Sequence, residues 1–256
     1  MTLQETEFPV NRDGLAVIPR KIFCNEFFVY KAGEHLLAGG PTQRGKSRLI
    51  FDCLGEVANP RLPAYVAVSK PRDKVTEKYG KELGYRRVDK WPVPKTVGEL
   101  VNGPPPGYLI WPKLGNLDTD LEQCAAVTKS LLEDRYTAGI RNKTAILVMD
   151  DTLVKSKILG LDKQMVTILA MAGAMGVGQW VAIQKPTDSG RTAIWAFGAS
   201  EHIFLFRDPD LRNRMRYDEI GGVDPKFVAE ASKHLGNYQA LYLKRTGSYM
   251  CVVDSK

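Results

Sequence analysis

The sequence predicts an α/β protein: a mainly parallel central sheet flanked by helices, with an antiparallel hairpin near the C-terminus. Three observations predict it. Short apolar runs recur along the 256 residues and alternate with segments of helical spacing, the pattern of a sheet buried on both faces. A glycine-rich loop joins the first strong strand, His35-Leu36-Leu37-Ala38-Gly39, to the first helix. The last two apolar runs, near Ala240-Leu241-Tyr242-Leu243 and Tyr249-Met250-Cys251-Val252-Val253, face each other across Arg245-Thr246-Gly247.

The elements follow in order. Residues 1–33 read as an extended lead-in, with Phe27-Phe28-Val29-Tyr30 and Glu34-His35-Leu36-Leu37 flanking a hairpin turn at Lys31-Ala32-Gly33. From Arg48 to Leu54, helical spacing places Leu49, Ile50, Cys53 and Leu54 on one face. Asn59-Pro60-Arg61-Leu62-Pro63 breaks the chain before a second buried strand, Ala64-Tyr65-Val66-Ala67-Val68. Residues 70–107 mix prolines and glycines with Lys70, Arg72, Lys74, Lys78, Lys81, Arg86, Arg87 and Lys90; they read as an irregular basic insertion, either solvated or facing a partner. Tyr108-Leu109-Ile110-Trp111 is a further strand. Asp118 to Ala138 is a long amphipathic helix with Asp118, Thr119 and Asp120 as cap candidates.

Thr144-Ala145-Ile146-Leu147-Val148-Met149 is the strongest strand, six residues without a charge, and it ends in Asp150-Asp151. Met165 to Ile183 is nearly uncharged, as a membrane span would be. Gly173, Gly176 and Gly178 and the polar Gln179 divide it instead into a buried helix (about 162–175) and a buried strand (180–183). His202-Ile203-Phe204-Leu205-Phe206 is the next strand. No internal repeat or low-complexity segment is visible. Residues 34–256 are expected to form a single domain behind the lead-in.

Composition narrows the function. A hydrophobic share of 44% is that of an ordinary globular chain. The net charge of +7 and pI of about 9.1 tilt toward a polyanionic partner such as nucleic acid. Cys24, Cys53, Cys124 and Cys251 form no C-x-x-C pair, so no zinc site is suggested and a reducing, cytoplasmic setting is expected. The polar, acidic first seven residues are not a signal peptide.

The chemistry begins at Gly40-Pro41-Thr42-Gln43-Arg44-Gly45-Lys46-Ser47, which satisfies the P-loop pattern G-x-x-x-x-G-K-[ST] in the required strand–loop–helix context. Its two glycines let successive N–H groups turn inward as an anion-binding nest, and the helix that follows adds the positive end of its dipole. Residues 40–48, ending in Arg48, are the candidate ATP-binding set; Lys46 supplies charge to the β- and γ-phosphates and the Ser47 hydroxyl ligates Mg²⁺. Asp150 stands at the carboxyl end of a buried strand, where ligands bind in open α/β sheets, and is the candidate second Mg²⁺ ligand. Asp151 is the candidate acceptor of the attacking water's proton. Gln184 follows the next strand and is placed to sense the γ-phosphate or hold that water.

These pieces, in this order, resemble the FtsK/HerA superfamily of ring-forming DNA-pumping ATPases. The resemblance rests on His35 to Ser47, on Glu133-Asp134-Arg135-Tyr136 with Gly139 and Arg141, on Val148-Met149-Asp150-Asp151, on Val181-Ala182-Ile183-Gln184-Lys185-Pro186, and on His202 to Arg212. It spans about residues 34–222. It implies a P-loop NTPase with a RecA-like sheet, ATP and Mg²⁺ as cofactors, and a homo-oligomeric ring, a hexamer, pumping double-stranded DNA through phosphate contacts. Two departures stand out. Asp151 replaces the family's usual Glu, and the helix before the Gln184 strand carries no basic residue to act in trans, which leaves Arg141, Arg207 and Arg212 as candidates. With no anchor and no appended winged-helix domain, the chain is most similar to the small genome-packaging ATPases of membrane-containing, tailless viruses. Its expected place is the host cytoplasm or a virion vertex, with a capsid vertex or membrane partner. Plasmid or integrative-element transfer is the alternative within the family. A small-molecule kinase, or a nucleotide switch that does not hydrolyse, is the alternative outside it.

Overall fold

The computed structural model describes residues 8–187, 190–246 and 249–255. The apolar runs assemble into one ten-stranded sheet. Its strands are β1 (Val17–Pro19), β2 (Leu36–Gly39), β3 (Ala64–Ala67), β4 (Arg86–Val88), β5 (Gly107–Ile110), β6 (Ala145–Met149), β7 (Val177–Ile183), β8 (His202–Phe206), β9 (Ala240–Lys244) and β10 (Tyr249–Asp254). Their order across the sheet is β1-β10-β9-β8-β2-β7-β6-β3-β5-β4. Neighbours are parallel except β8–β9 and β9–β10, so β9 alone runs against the rest. The expected parallel sheet and terminal hairpin are both present; the tip of that hairpin at Gly247 lies outside the described residues.

The central strands are buried along their whole length because helices cover both faces. The pleat sorts their side chains. Leu37, Leu147, Val181 and Leu205 enter a core roofed by the long helix Leu117–Ile140 and the helices Gly190–Ala199 and Pro225–Lys233. Leu36, Ile146, Val148, Trp180 and Phe204 enter the opposite core, filled by Leu49, Ile50 and Leu54 of helix Lys46–Val57. Arg135 and Tyr136, part of the Arg-Tyr motif, sit on the long helix. Arg135 donates to Tyr65 Oη at 2.8 Å and lies 4.6 Å from the centre of that ring, tying the helix to β3.

Two stretches differ from expectation. Phe27 to Tyr30 form no strand; Arg20–Ile22 and Phe23–Phe27 are helical instead. The aromatic residues that suggested a strand serve packing: Phe28 and Tyr30 lie 5.8 and 5.2 Å from Trp180, and Phe23 before them lies 4.6 Å from Tyr242 and 5.8 Å from Phe204, ring centre to ring centre. Nor is the basic segment 70–107 irregular. It contains helix Lys74–Glu82, strand β4 and helix Val97–Asn102, with a cis peptide bond at Trp91–Pro92. Local caps hold these short pieces. Asp73 accepts from the N–H groups of Val75 and Thr76, and Thr96 with Glu99 forms a capping box. The charges at their exposed positions hid the periodicity.

Of the cap candidates for the long helix, the side chain of Asp118 lies outside the described residues. Asp120 Oδ1 accepts from the N–H groups of Gly115 and Asn116 at 3.0 and 3.1 Å. Among the described residues no helix is long and apolar enough to cross a membrane.

Candidate active site

The carboxyl ends of β2, β3, β6, β7 and β8 open onto one edge of the sheet, and the residues that follow them converge there. After β2 the chain makes the glycine loop. Gly40 adopts φ +139°, and a Cβ there would stand 2.8 Å from Phe206 Cβ on β8, so glycine is required on both counts. Gln43 and Gly45 also have positive φ, at 60° and 93°, and helix Lys46–Val57 starts at once behind them. The helix N-terminus therefore points into the hollow of the loop, where its dipole favours an anion. Lys46 is buried in that hollow, donating to the carbonyls of Gly40 at 2.7 Å and Pro41 at 2.6 Å. Burial pulls its pKa down to about 8, opposed by Asp150 and Asp151.

The second half of the site comes from β6. Asp150 Oδ2 accepts from the Ser47 hydroxyl at 3.0 Å, so the two candidate metal ligands already meet. Both are hard oxygen donors, as Mg²⁺ requires, and Mg²⁺ takes few protein ligands when phosphates supply the others. Asp151 has φ +54°, an uncommon conformation for a residue with a side chain. The turn aims its carboxylate sideways, where Oδ1 accepts from the Gln184 amide and Oδ2 pairs with Lys70 Nζ at 2.7 Å. Burial lowers the pKa of Lys70, but Asp150 and Asp151 outweigh it and hold the ammonium above its ordinary range. Beneath the acids, the fully buried Lys155 donates to the Asp150 carbonyl; burial brings its pKa down to about 8.

A cavity of about 520 Å³ lies over this cluster, walled by Thr42, Gln43, Lys46, Ser47, Asp150 and Gln184, with Arg48 at its rim. The candidate nucleotide set is thus gathered at one place. Arg44 points away and donates to Asn237 Oδ1 at 2.5 Å. The arginines are not gathered. Arg141 follows the long helix, before β6, on the edge where the strands begin. Arg207 and Arg212 lie at the correct edge beyond β8, exposed, and neither lines the cavity.

Lys70, Lys155, Arg20 and Tyr238 went unrecognised as site residues in the sequence. Arg20 and Tyr238 line the cavity, and Arg20 donates to the Tyr238 carbonyl at 3.1 Å. Lys70 carried a readable signal, because it follows a buried strand just as Asp150 and Gln184 do. Lys155 and Arg20 carried none; their burial is purely tertiary.

No protein-family model and no curated protein matches this chain. Solved structures do. The genome packaging NTPase B204 from Sulfolobus turreted icosahedral virus 2, in complex with ATPγS, is 13% identical, with a TM-score of 0.58 over 89% of this chain and 100% of that one. B204 from Sulfolobus turreted icosahedral virus, described as a DNA-packaging ATPase, is 12% identical, with a TM-score of 0.58 and the same coverage. The cytoplasmic domain of the Thermomonospora curvata type VII secretion ATPase EccC is 16% identical, with a TM-score of 0.54 over 90% of this chain and 26% of that one. At these identities the likeness is one of fold, and it is the fold that the motif resemblance implied. B204 from Sulfolobus turreted icosahedral virus 2 has also been solved with AMP and with AMPPCP.

Proposed function

We propose that this chain is an ATP-driven double-stranded DNA translocase that packages a viral genome into a preformed capsid. The observation that carries the reading is the meeting of Ser47 and Asp150 at 3.0 Å beside the loop-held Lys46. The fold supports it, since B204, a genome packaging NTPase, is matched over its whole length.

In this reading residues 34–256 are the motor domain and residues 1–33 its lead-in. The N–H groups of Gly40 to Ser47, with Arg48 at the rim, bind the phosphates of ATP. Lys46 carries the charge that they need. Ser47 and Asp150 would hold Mg²⁺, which when bound neutralises phosphate charge. Asp151 takes the proton of the attacking water, and Gln184 orients that water or senses the γ-phosphate. The resemblance implies a homo-oligomeric ring, a hexamer, in which Arg141, Arg207 or Arg212 completes the site of a neighbouring copy. The ring works on DNA phosphates, in the host cytoplasm or at a virion vertex, beside a capsid or membrane partner.

The test is steady-state ATP hydrolysis with and without long duplex DNA, at low and moderate salt, with Lys46→Ala as the blank. Turnover that rises with duplex and falls with salt is expected. ATP binding without any stimulation by duplex would overturn the translocase reading.

A further inference from the structure

A second concave site lies on the same sheet edge, away from the nucleotide cavity. It is a groove of about 540 Å³ at the ends of β4 and β5, lined by Arg86, Arg87, Lys90, Trp111 and Lys113. Its two arginines are fixed in place. Arg86 donates to Glu99 at 2.8 Å, and Arg87 lies over the Trp111 ring, 4.1 Å from its centre, and 3.5 Å from Glu77. They form walls that need no further ordering when a ligand arrives. The two lysines are presented to solvent. Lys113 is 86% exposed and meets Asp89 at 3.3 Å, a surface pair that holds it only weakly. Lys90 is exposed and has no ion-pair partner among the described residues. Asp89 lines the groove itself, and Glu99 and Glu77 stand behind the two arginines, so the net positive charge of the groove is carried by Lys90 and the loosely held Lys113.

Topology extends this groove into a ledge. β3, β5 and β4 are adjacent and parallel, so their carboxyl ends stand side by side. Arg72 follows β3, Lys113 follows β5 and Lys90 follows β4. With neighbouring strands about 4.8 Å apart, the ledge crosses two strand spacings, about 10 Å. A row of that length can follow successive phosphates of one strand, which rise about 3.4 Å each along the duplex. The ligand chemistry is a row of phosphates held by fixed guanidinium walls and mobile ammonium groups, with no apolar slot for a base, since Trp111 is buried beneath Arg87.

We infer that the groove at the ends of β4 and β5 binds the phosphate backbone of duplex DNA. The inference rests on the translocase reading for its biology, but its test does not depend on ATP turnover. The probe is a fluorescent duplex of mixed sequence without nucleotide, its affinity read by anisotropy over a series of salt concentrations. The variant is Lys90→Glu with Lys113→Glu. A control reverses two exposed cations on the opposite edge, Arg61→Glu with Lys143→Glu.

The groove variant is expected to lose more than about tenfold in affinity and to flatten the salt slope by about two, one for each lost phosphate contact; the control keeps the wild-type slope. Equal losses in both variants would show diffuse attraction by net charge and overturn the proposal. So would wild-type duplex affinity in the groove variant combined with weakened ATPγS binding at ring-forming concentration, since the groove would then face a neighbour's nucleotide. Duplex binding that depends on Lys90 and Lys113 in a protein without ATP turnover would sink the motor reading and leave the groove standing.

Discussion

The Lys70 ammonium lies 2.7 Å from Asp151 Oδ2, and the same carboxylate accepts from the Gln184 amide through its other oxygen. Asp151 therefore has both oxygens engaged. Lys70 and Gln184 each follow a strand next to β6, one on either side, so the sheet itself delivers the clamp. Replacing Lys70 with Ala frees one oxygen of Asp151. Lys70 is 45% exposed, so the pair is worth no more than about 1 kcal/mol. DNA-independent turnover is expected to rise by up to about fivefold, and stimulation by duplex to shrink in proportion. Steady-state kinetics decides it: a fall in kcat at unchanged KM would mean that Lys70 acts on the reacting phosphate instead of restraining Asp151.

Gly40 offers a sharper structural test. An alanine there would adopt φ +139° and place its Cβ 2.8 Å from Phe206 Cβ. Either the loop moves away from β8 or the strand end shifts, and both displace the Lys46 anchor on the Gly40 carbonyl. Gly40→Ala is expected to cost about 1–3 kcal/mol of stability and to abolish nucleotide binding, while Gly84→Ala, at a positive-φ position with open space around it, costs stability alone. Denaturant unfolding and a fluorescent-nucleotide titration of the two variants separate these effects. Full nucleotide affinity in Gly40→Ala would contradict the geometry.

The buried Lys155 ammonium faces Asp150 and Asp151 with no solvent to share the load. Lys155→Met removes that buried charge and the hydrogen bond it donates to the Asp150 carbonyl, leaving the two carboxylates to Lys46 and Lys70. In EDTA the variant is expected to be less stable by about 2 kcal/mol, in the range for losing a hydrogen bond from a charged group. Millimolar Mg²⁺ should narrow the gap by binding at Ser47 and Asp150. Thermal unfolding with and without the ion reads both quantities, and an equal loss in both conditions would place the role of Lys155 in packing.

His35 makes stability depend on pH. It opens into β2, where Nδ1 accepts from the Gln179 N–H at 2.9 Å, and burial lowers its pKa to about 4. The unfolded chain takes up this proton near pH 6.5 and the folded chain does not. The stability carried by neutral His35 is therefore complete above pH 6.5 and falls away as pH drops toward 4, by about 3 kcal/mol in all. Urea unfolding at pH 7.5, 6 and 5 is expected to show that loss, and His35→Asn to flatten it. A slope unchanged by the substitution would assign the pH dependence to other groups.

What the sequence determined by itself is the set of local decisions. The charge-free run from Thr144 to Met149, bounded by Lys143 and Asp150, reads as a strand buried on both faces, and the strand forms over Ala145–Met149. A loop with Gly40, Gly45, Lys46 and Ser47 between a strand and a helix has one geometry open to it. Hence the sheet class, the P-loop and the positions of Asp150 and Gln184 were legible, because each depends on residues close together in the chain. The tertiary structure decided everything that depends on which strands become neighbours. β3 beside β6 brings Lys70 to Asp151; β8 beside β2 sets Phe206 against Gly40; β4 beside β5 turns a charged insertion into a groove. The helical turn at Phe23 was hidden for the same reason, since its partners Phe204 and Tyr242 lie some 180 to 220 residues away. Periodicity records which face of an element is buried; it carries no record of what is buried against it, and the chemistry of this edge is made by that second choice.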